Sequence, residues 1–482
     1  MITCDVSGDH LAWFEDVLIA AKSDSSIKHI FVESHIPIIQ PVRTQQSSGQ
    51  FMDDADQSAF WKVMNTYGVD IYFAGDVHST TASKTKESNS NLVQIISSSR
   101  FFAGFLTVHV TNDSIQVKHH NEFGEKSRFN NQYIENGMLT ITKTSRGEVI
   151  QIESYGELEL LNDALPLIHL DFENLYPLST RQVNGLTSNG KLIPDSINIG
   201  GVACNESLKN HGSFGKHYDA QTGNIQLVQG RRNGGFSAQM SPDSRLAIFG
   251  SGPLGAGRIV SVSMWFKTDH DQDEMVLCHY GSFWGPVPKK KDHLLLTLGR
   301  GVPILYIRPG QAYSVAIDSI ADGNWHHVAL TMPKQNCLSA EIQLFIDGDE
   351  YPLESITPWS NDKNVFFLTS GRMSFGGLGY ASKRTKEYYM DKLPYEGELD
   401  DIKVWSRTLS PGDIRGVSIS CDDDVDYKFT LKNGRSVKCG WIQANKKTLK
   451  RRERYCYDKS DKESASDIAN ACPKSCGFCS HD

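Results

Sequence analysis

The sequence predicts a multidomain chain: an α/β layer domain, then an all-β sandwich or jelly roll, then a small disulfide-rich module. Three observations predict it. Helical and strand periodicities alternate over the first ~160 residues. From Leu165 to Val417 the chain reads as many short strands with Gly-rich punctuation and almost no helical pattern. Six of the ten cysteines lie at or beyond Cys421. A length of 482 residues suits roughly three domains of about 150 residues.

The elements follow in order. Asp9 to Lys22 sets Trp13, Val17 and Ala20/Ala21 on one face of an amphipathic helix. Ile30-Phe31-Val32 is an apolar strand that runs into Glu33-Ser34-His35-Ile36-Pro37, where Pro37 disfavours helix at Ile36. Asp56 to Tyr67 is a second helix, stopped by Gly68. Val69 to Ala74 is a buried strand that ends at Gly75-Asp76-Val77-His78, and shorter strands follow at 92–97, 106–111 and 115–119. Residues 126–164 connect as strands with turns.

Alternation of period two marks Ile259 to Phe266, His327 to Thr331 and Glu341 to Ile346. Asp347-Gly348 suits a type I′ hairpin turn, and Trp325, Val328 and Leu330 are expected in the core. Glu396 and Glu398 are expected as solvated strand residues, and His326-His327 as structural.

Composition excludes several classes. Hydrophobic residues at 39% and charged residues at 22% exclude a disordered or fibrous chain. A net charge of -8 argues against a nucleic-acid partner held on a basic face. No uncharged apolar run reaches about 18 residues, so no membrane span is expected. The N-terminal residues lack the basic and apolar regions of a secretory signal. The cysteine-dense tail nevertheless points to an extracellular, oxidising compartment.

His35 and the pair Asp76/His78 each follow a buried strand. In open α/β layers ligands gather beyond the carboxyl ends of strands, and imidazole and carboxylate are ordinary ligands of Fe, Zn or Mn. The segments FVESHIPII and YFAGDVHS, in this order of helices and strands, resemble the C-terminal half of calcineurin-like metallophosphoesterases, the class that includes purple acid phosphatases. The resemblance covers roughly residues 8–120 and implies a domain over residues 1–125. It implies hydrolysis of a phosphate ester by a metal-bound hydroxide at a two-metal site of divalent ions. It implies His35 and Asp76 on one metal and His78 on the other. Asp76 stands where that family usually has His, and the family's earlier D-x-H, G-D and G-N-H-[D/E] blocks are absent. Three ligands cannot hold two ions, so the chain as given is expected to be inactive. A start inside a longer protein would account for both the missing blocks and the missing signal.

Asp322-Gly323-Asn324-Trp325-His326-His327-Val328-Ala329-Leu330, then Ile342 to Gly348, resembles the laminin-G-like, concanavalin-like jelly roll. Ile168 to Glu173 resembles its opening strand and Glu398 to Trp405 its closing strand. The resemblance covers residues 165–417 and implies a partner that is a glycan or an extracellular protein. The alternative function is therefore a non-enzymatic extracellular binding or adhesion protein.

The tail, residues 421–479, carries Cys421, Cys439, Cys456, Cys472, Cys476 and Cys479. Its ending resembles the ShK-type (sea-anemone toxin-like) six-cysteine module. Six cysteines allow 15 pairings and spacing does not choose among them; the resemblance implies Cys421 with Cys479. Asn112-Asp113-Ser114 and Asn205-Glu206-Ser207 are glycosylation sequons, expected on the surface of a secreted protein.

Overall fold

A computed structural model describes residues 6–43, 52, 57–77, 79–85, 91–97, 104–122, 133–144, 147–161, 165–177, 197–199, 202–204, 206–214, 219–231, 235–248, 261–271, 273–281, 293–308, 311–332, 339–357, 372–381, 388–418, 428–431, 435–438 and 442.

The N-terminal unit has three layers. Helices α1 (Gly8–Ser23) and α2 (Ala59–Tyr67) form the outer one. A mixed sheet of β1 (Phe31–Glu33), β2 (Ile71–Ala74), β3 (Thr81–Ser83), β4 (Val93–Ile96) and β9 (Leu160–Leu161) forms the middle, in the order β1-β2-β4-β3-β9. β1, β2 and β4 are parallel. An antiparallel sheet of β5 (Gly104–Val110), β6 (Ser114–Glu122), β7 (Tyr133–Lys143) and β8 (Val149–Gly156) forms the third layer. The alternation of β2 explains the stacking: Tyr72 and Ala74 face the helices with Phe60 and Met64, while Ile71 faces the third layer with Val117 and Ile141.

Several elements differ from expectation. In α1 the predicted inner stripe is outermost: Trp13 is 67% and Val17 45% exposed. Leu11, Phe14 and Leu18, spaced i, i+3, i+7, face inwards instead, and the Phe14 ring lies 4.9 Å from that of Phe60. The helix has apolar residues on two sides, so periodicity alone picked the wrong one. α2 begins at Ala59, where Ser58 caps it by accepting from the Trp61 N–H, and ends at Gly68 in the left-handed region (φ 76). Val69 donates back to the Met64 carbonyl, which shortens the following strand to Ile71–Ala74. β7 and β8, read as a connection over residues 126–164, complete the sheet of β5 and β6, and β9 pairs in parallel with β3.

The jelly roll expected over 165–417 is a two-sheet sandwich. One sheet runs Gln226–Gln229, Phe236–Met240, Gly397–Trp405, Ser261–Lys267, Trp325–Thr331, Gln343–Ile346, Asp349–Tyr351, with Ile168–Leu170 also paired to Gly397–Trp405. The facing ten-stranded sheet includes Ala220–Gly223, Arg245–Ile248, Arg372–Phe375, Glu274–Gly281, Leu294–Gly299 and Val302–Arg308. Between them lies a continuous core that takes Leu167 and Ile168 at one end of the sequence and Ile402 and Val404 at the other. Asp347 and Gly348 both have positive φ (53 and 91), as a type I′ turn requires. Residues 339–341, partly predicted as strand, form a 3₁₀ turn, and the strand is Gln343–Ile346.

Arg43 joins the two units. It is 3% exposed, donates to the carbonyls of Thr80 and Glu157, and reaches the Ser213 carbonyl of the sandwich at 3.4 Å. Among the described residues no helix is long and apolar enough to cross a membrane.

Candidate functional site

The structure brings two of the three expected metal ligands together. His35 follows β1 and Asp76 follows β2, at the carboxyl edge of adjacent parallel strands. His35 Nε2 lies 3.6 Å from Asp76 Oδ1, with side chains 74% and 9% exposed. The turn is tight: Gly75 N–H donates to the His35 carbonyl at 3.0 Å, and Asp76 takes a left-handed backbone (φ 59). A Cβ on Gly75 would stand 3.3 Å from His35 Nδ1. His78 lies outside the described residues.

Two donors this close can share one ion. A two-metal centre needs ions about 3.5–4 Å apart, each with its own ligands. Among the described residues no group of three or more His, Cys, Asp or Glu is arranged for a metal. His35 and Asp76 alone do not fit a two-metal centre.

The six tail cysteines Cys421, Cys439, Cys456, Cys472, Cys476 and Cys479 also lie outside the described residues. The described tail is a hairpin, Lys428–Thr430 against Ser436–Lys438. Cys204 and Cys278 are buried free thiols, each pushed up to about 12 by burial.

A second constellation lies on the sandwich. The outer face of the ten-stranded sheet is covered by a small sheet containing Ile197–Ile199, Leu378–Ala381 and Tyr388–Lys392. Ile199, Cys204, Ala247 and Met390 seal one contact, and Val276, Leu295 and Leu378 another. The outer face of the other sheet is covered at one end by α3 (Pro411–Ser418), whose Ile414 packs with Phe345 and Trp405.

At its other end four outward residues stand in one row across four strands. The register pairs Gln239 with Glu398, Glu398 with Lys267, and Lys267 with Trp325. Glu398 accepts from Lys267 Nζ at 2.9 Å and from Ser237 Oγ at 2.7 Å. Lys267 Nζ lies 5.9 Å from the centre of the Trp325 ring. Trp325, expected in the core, is half-buried on this face because Val328 and Leu330 hold the inward parity of its strand. Glu398, expected as a solvated residue, is instead held in place by these partners and is 13% exposed.

The next row, Asp400, Trp265 and His327, is buried under Arg231, whose guanidinium lies 4.0 Å over the Trp265 ring. Burial holds the His327 imidazole down at about 3, against the pull of Asp401, so it is neutral. Here the register of Gly397–Trp405 shifts between Ser263 and Trp265, and Asp401 takes φ 50 at that bulge. The bulge turns Asp401 towards His169 Nε2 (2.7 Å), Lys403 Nζ (2.9 Å) and Arg231 Nη2 (3.8 Å). Sequence reasoning read Glu398 to Trp405 only as a closing strand. Its signal for more was two successive acids on a strand otherwise alternating apolar and polar.

Residues 240–415 match the family model of the concanavalin A-like lectin/glucanases superfamily. No curated protein matches the chain. Among solved structures, the chain is similar to domain 4 of the extracellular arabinanase AbnA from Geobacillus stearothermophilus, in complex with arabinotriose. The identity is 16%, the TM-score 0.33, and the match covers 53% of this chain and 98% of that one. It is also similar to the sialidase CBM40 of Ruminococcus gnavus bound to α2,3-sialyllactose, at 14% identity and TM-score 0.28, covering 41% and 97%. A heptameric SAP-like pentraxin from Limulus polyphemus matches at 16% identity and TM-score 0.26, covering 35% and 73%.

Proposed function

We propose that the jelly roll is the working part of the chain, and that the protein is a non-enzymatic extracellular binding protein that takes a glycan on the open end of the eight-stranded sheet. The observation that carries this is the row Gln239–Glu398–Lys267–Trp325. An amide, a carboxylate, an ammonium and an aromatic face in line match a polyhydroxylated ring, which offers donors, acceptors and an apolar face at once. Opposite charges cancel along the row, which suits a neutral sugar better than an anionic one. The cysteine density of residues 421–479 supports the extracellular placement. The test is binding of the full chain to a glycan array, with Trp325→Ala and Lys267→Ala as the informative variants.

One observation favours a second reading, the metallophosphoesterase half. His35 and Asp76 meet at a strand-end position where ligands gather, and Asp76 holds a left-handed backbone there. On this reading residues 1–482 bind divalent ions weakly and turn over an aryl phosphate negligibly. Calorimetric titration with Mn²⁺ or Zn²⁺ tests it. A weak heat that disappears in His35→Ala supports the edge as a partial site, and metal binding unchanged by that variant removes it.

A further inference from the structure

The geometry points to a modification site: we infer that Asn112 is the acceptor of an N-linked glycan that screens β5, the outer strand of its sheet among the described residues. This goes beyond the binding reading and shares with it only the extracellular placement.

Residues 111–114 form the tight turn between β5 and β6, closed by the Thr111 N–H donating to the Ser114 carbonyl at 2.9 Å. Three of the four side chains are tied to one another. Thr111 Oγ1 donates to Asp113 Oδ1 at 2.8 Å and lies 2.8 Å from Ser114 Oγ. The Ser114 N–H donates to Thr111 Oγ1 at 3.0 Å. Asn112 is exposed, and among the described residues its side chain makes no hydrogen bond. The sequon Asn112-Asp113-Ser114 therefore presents its amide outwards, while Lys143 N–H and His29 Nε2 hold the backbone carbonyls of Asp113 and Thr111 on either side of it.

The strand entering this turn has a use for such a cover. Among the described residues β5 is the outer strand of its sheet and pairs only with β6. It exposes Phe105 (39%), Val108 (43%) and Val110 (43%). A free edge with exposed apolar residues is a template for pairing with another chain, and edges are normally blunted by charge, proline or a cover. A hydrated oligosaccharide rooted two residues beyond Val110 supplies that cover.

The chemistry is a glycosyl transfer from a lipid-linked oligosaccharide pyrophosphate. The bond from the sugar anomeric carbon to the pyrophosphate oxygen breaks, and a bond from that carbon to Asn112 Nδ2 forms. The amide gives up one proton, which leaves with the lipid pyrophosphate.

The test is secretion of the full chain, behind a cleavable leader, from a glycosylating eukaryotic host. An Asn205→Gln background removes the other sequon. The expected result is a glycopeptide at Asn112 that enzymatic deglycosylation converts to Asp, abolished by Asn112→Gln and kept by Ser114→Thr. Light scattering should then show self-association of the Asn112→Gln protein at concentrations where the glycosylated one is monomeric. A folded, secreted protein whose Asn112 peptide is unmodified overturns the site. Occupied Asn112 with no difference in association overturns the screening role.

Discussion

Glu398 and Lys267 stand opposite each other on neighbouring antiparallel strands and close a 2.9 Å ion pair at the end of the sheet face away from α3. Their backbones are held by the ladder, so both head groups are positioned before any ligand arrives. Preorganisation of this kind lowers the ordering cost of binding. The pair is partly exposed, with Lys267 at 37%, so its worth to the fold is small. That separates its two possible roles: changes here should alter binding far more than stability.

Asp401 should behave in the opposite way. Its carboxylate is 4% exposed and faces His169, Lys403 and Arg231. Asp401→Asn keeps a side chain that tolerates the left-handed backbone and removes only the charge. It removes the carboxylate that faces the largely buried Arg231 and Lys403, which costs about 3–5 kcal/mol. Urea unfolding should show a midpoint shift of that size with little change in slope. A loss below about 1 kcal/mol would contradict a hub role for this carboxylate.

Stability should also fall with acid through His327. Burial, only partly opposed by Asp401, lowers its folded value to about 3, below the ordinary ~6.5 of the unfolded chain. Above ~6.5 both states are neutral and stability is full. Below that the unfolded chain takes up a proton the folded one refuses, so stability drops with falling pH until about 3. The slope from one such group approaches about 1.4 kcal/mol per pH unit. His279, also lowered by burial, adds in the same direction. His327→Gln should therefore lose about 2 kcal/mol less than wild type between pH 7 and pH 5, measured by denaturant unfolding at both. Parallel losses in the two proteins would count against a buried neutral imidazole at this position.

Cysteine reactivity should divide the chain. Cys204 and Cys278 are buried thiols pushed up to about 12, so native protein should not be alkylated at either, and denaturation alone should expose both. The six cysteines from Cys421 to Cys479 should react only after reduction, since a module of about 60 residues needs cross-links of about 2–4 kcal/mol each to offset its chain entropy. Peptide mapping of alkylated protein checks both. Alkylation of Cys472, Cys476 or Cys479 without reductant would remove the disulfide module and the extracellular placement.

Much of the fold was legible because its signals are local. Period-two alternation over Ile259–Phe266 and His327–Thr331 found the strands observed at Ser261–Lys267 and Trp325–Thr331, the Asp347-Gly348 pair marked its hairpin, and Gly68 stopped α2. Strand-end position led to the expectation that His35, Asp76 and His78 would converge; His35 and Asp76 share an edge, and His78 lies outside the described residues. What stayed hidden depends on neighbours distant in sequence. α1 has two apolar sides, and the core that selects one of them includes Phe60, about 46 residues after Phe14. Trp325 reads as core from hydrophobicity alone, yet strand parity fixed by Val328 sends it outwards. The row across Gln239, Glu398, Lys267 and Trp325 exists only through register, joining strands that span some 160 residues. The β-bulge at Asp401 leaves only the doubled acid Asp400-Asp401 as its mark in the sequence.

The most direct test is a side-by-side glycan array of the full chain, its Trp325→Ala variant, and a control substituted at exposed Ile150 in the N-terminal unit, each checked by thermal unfolding. Wild type and control should bind the same glycans. Trp325→Ala should lose at least tenfold in affinity, about 1.4 kcal/mol or more, while its melting curve moves little because Trp325 lies outside the core. Wild-type affinity retained by the Trp325→Ala protein, or no glycan bound by the folded wild type, would contradict a binding face on the eight-stranded sheet.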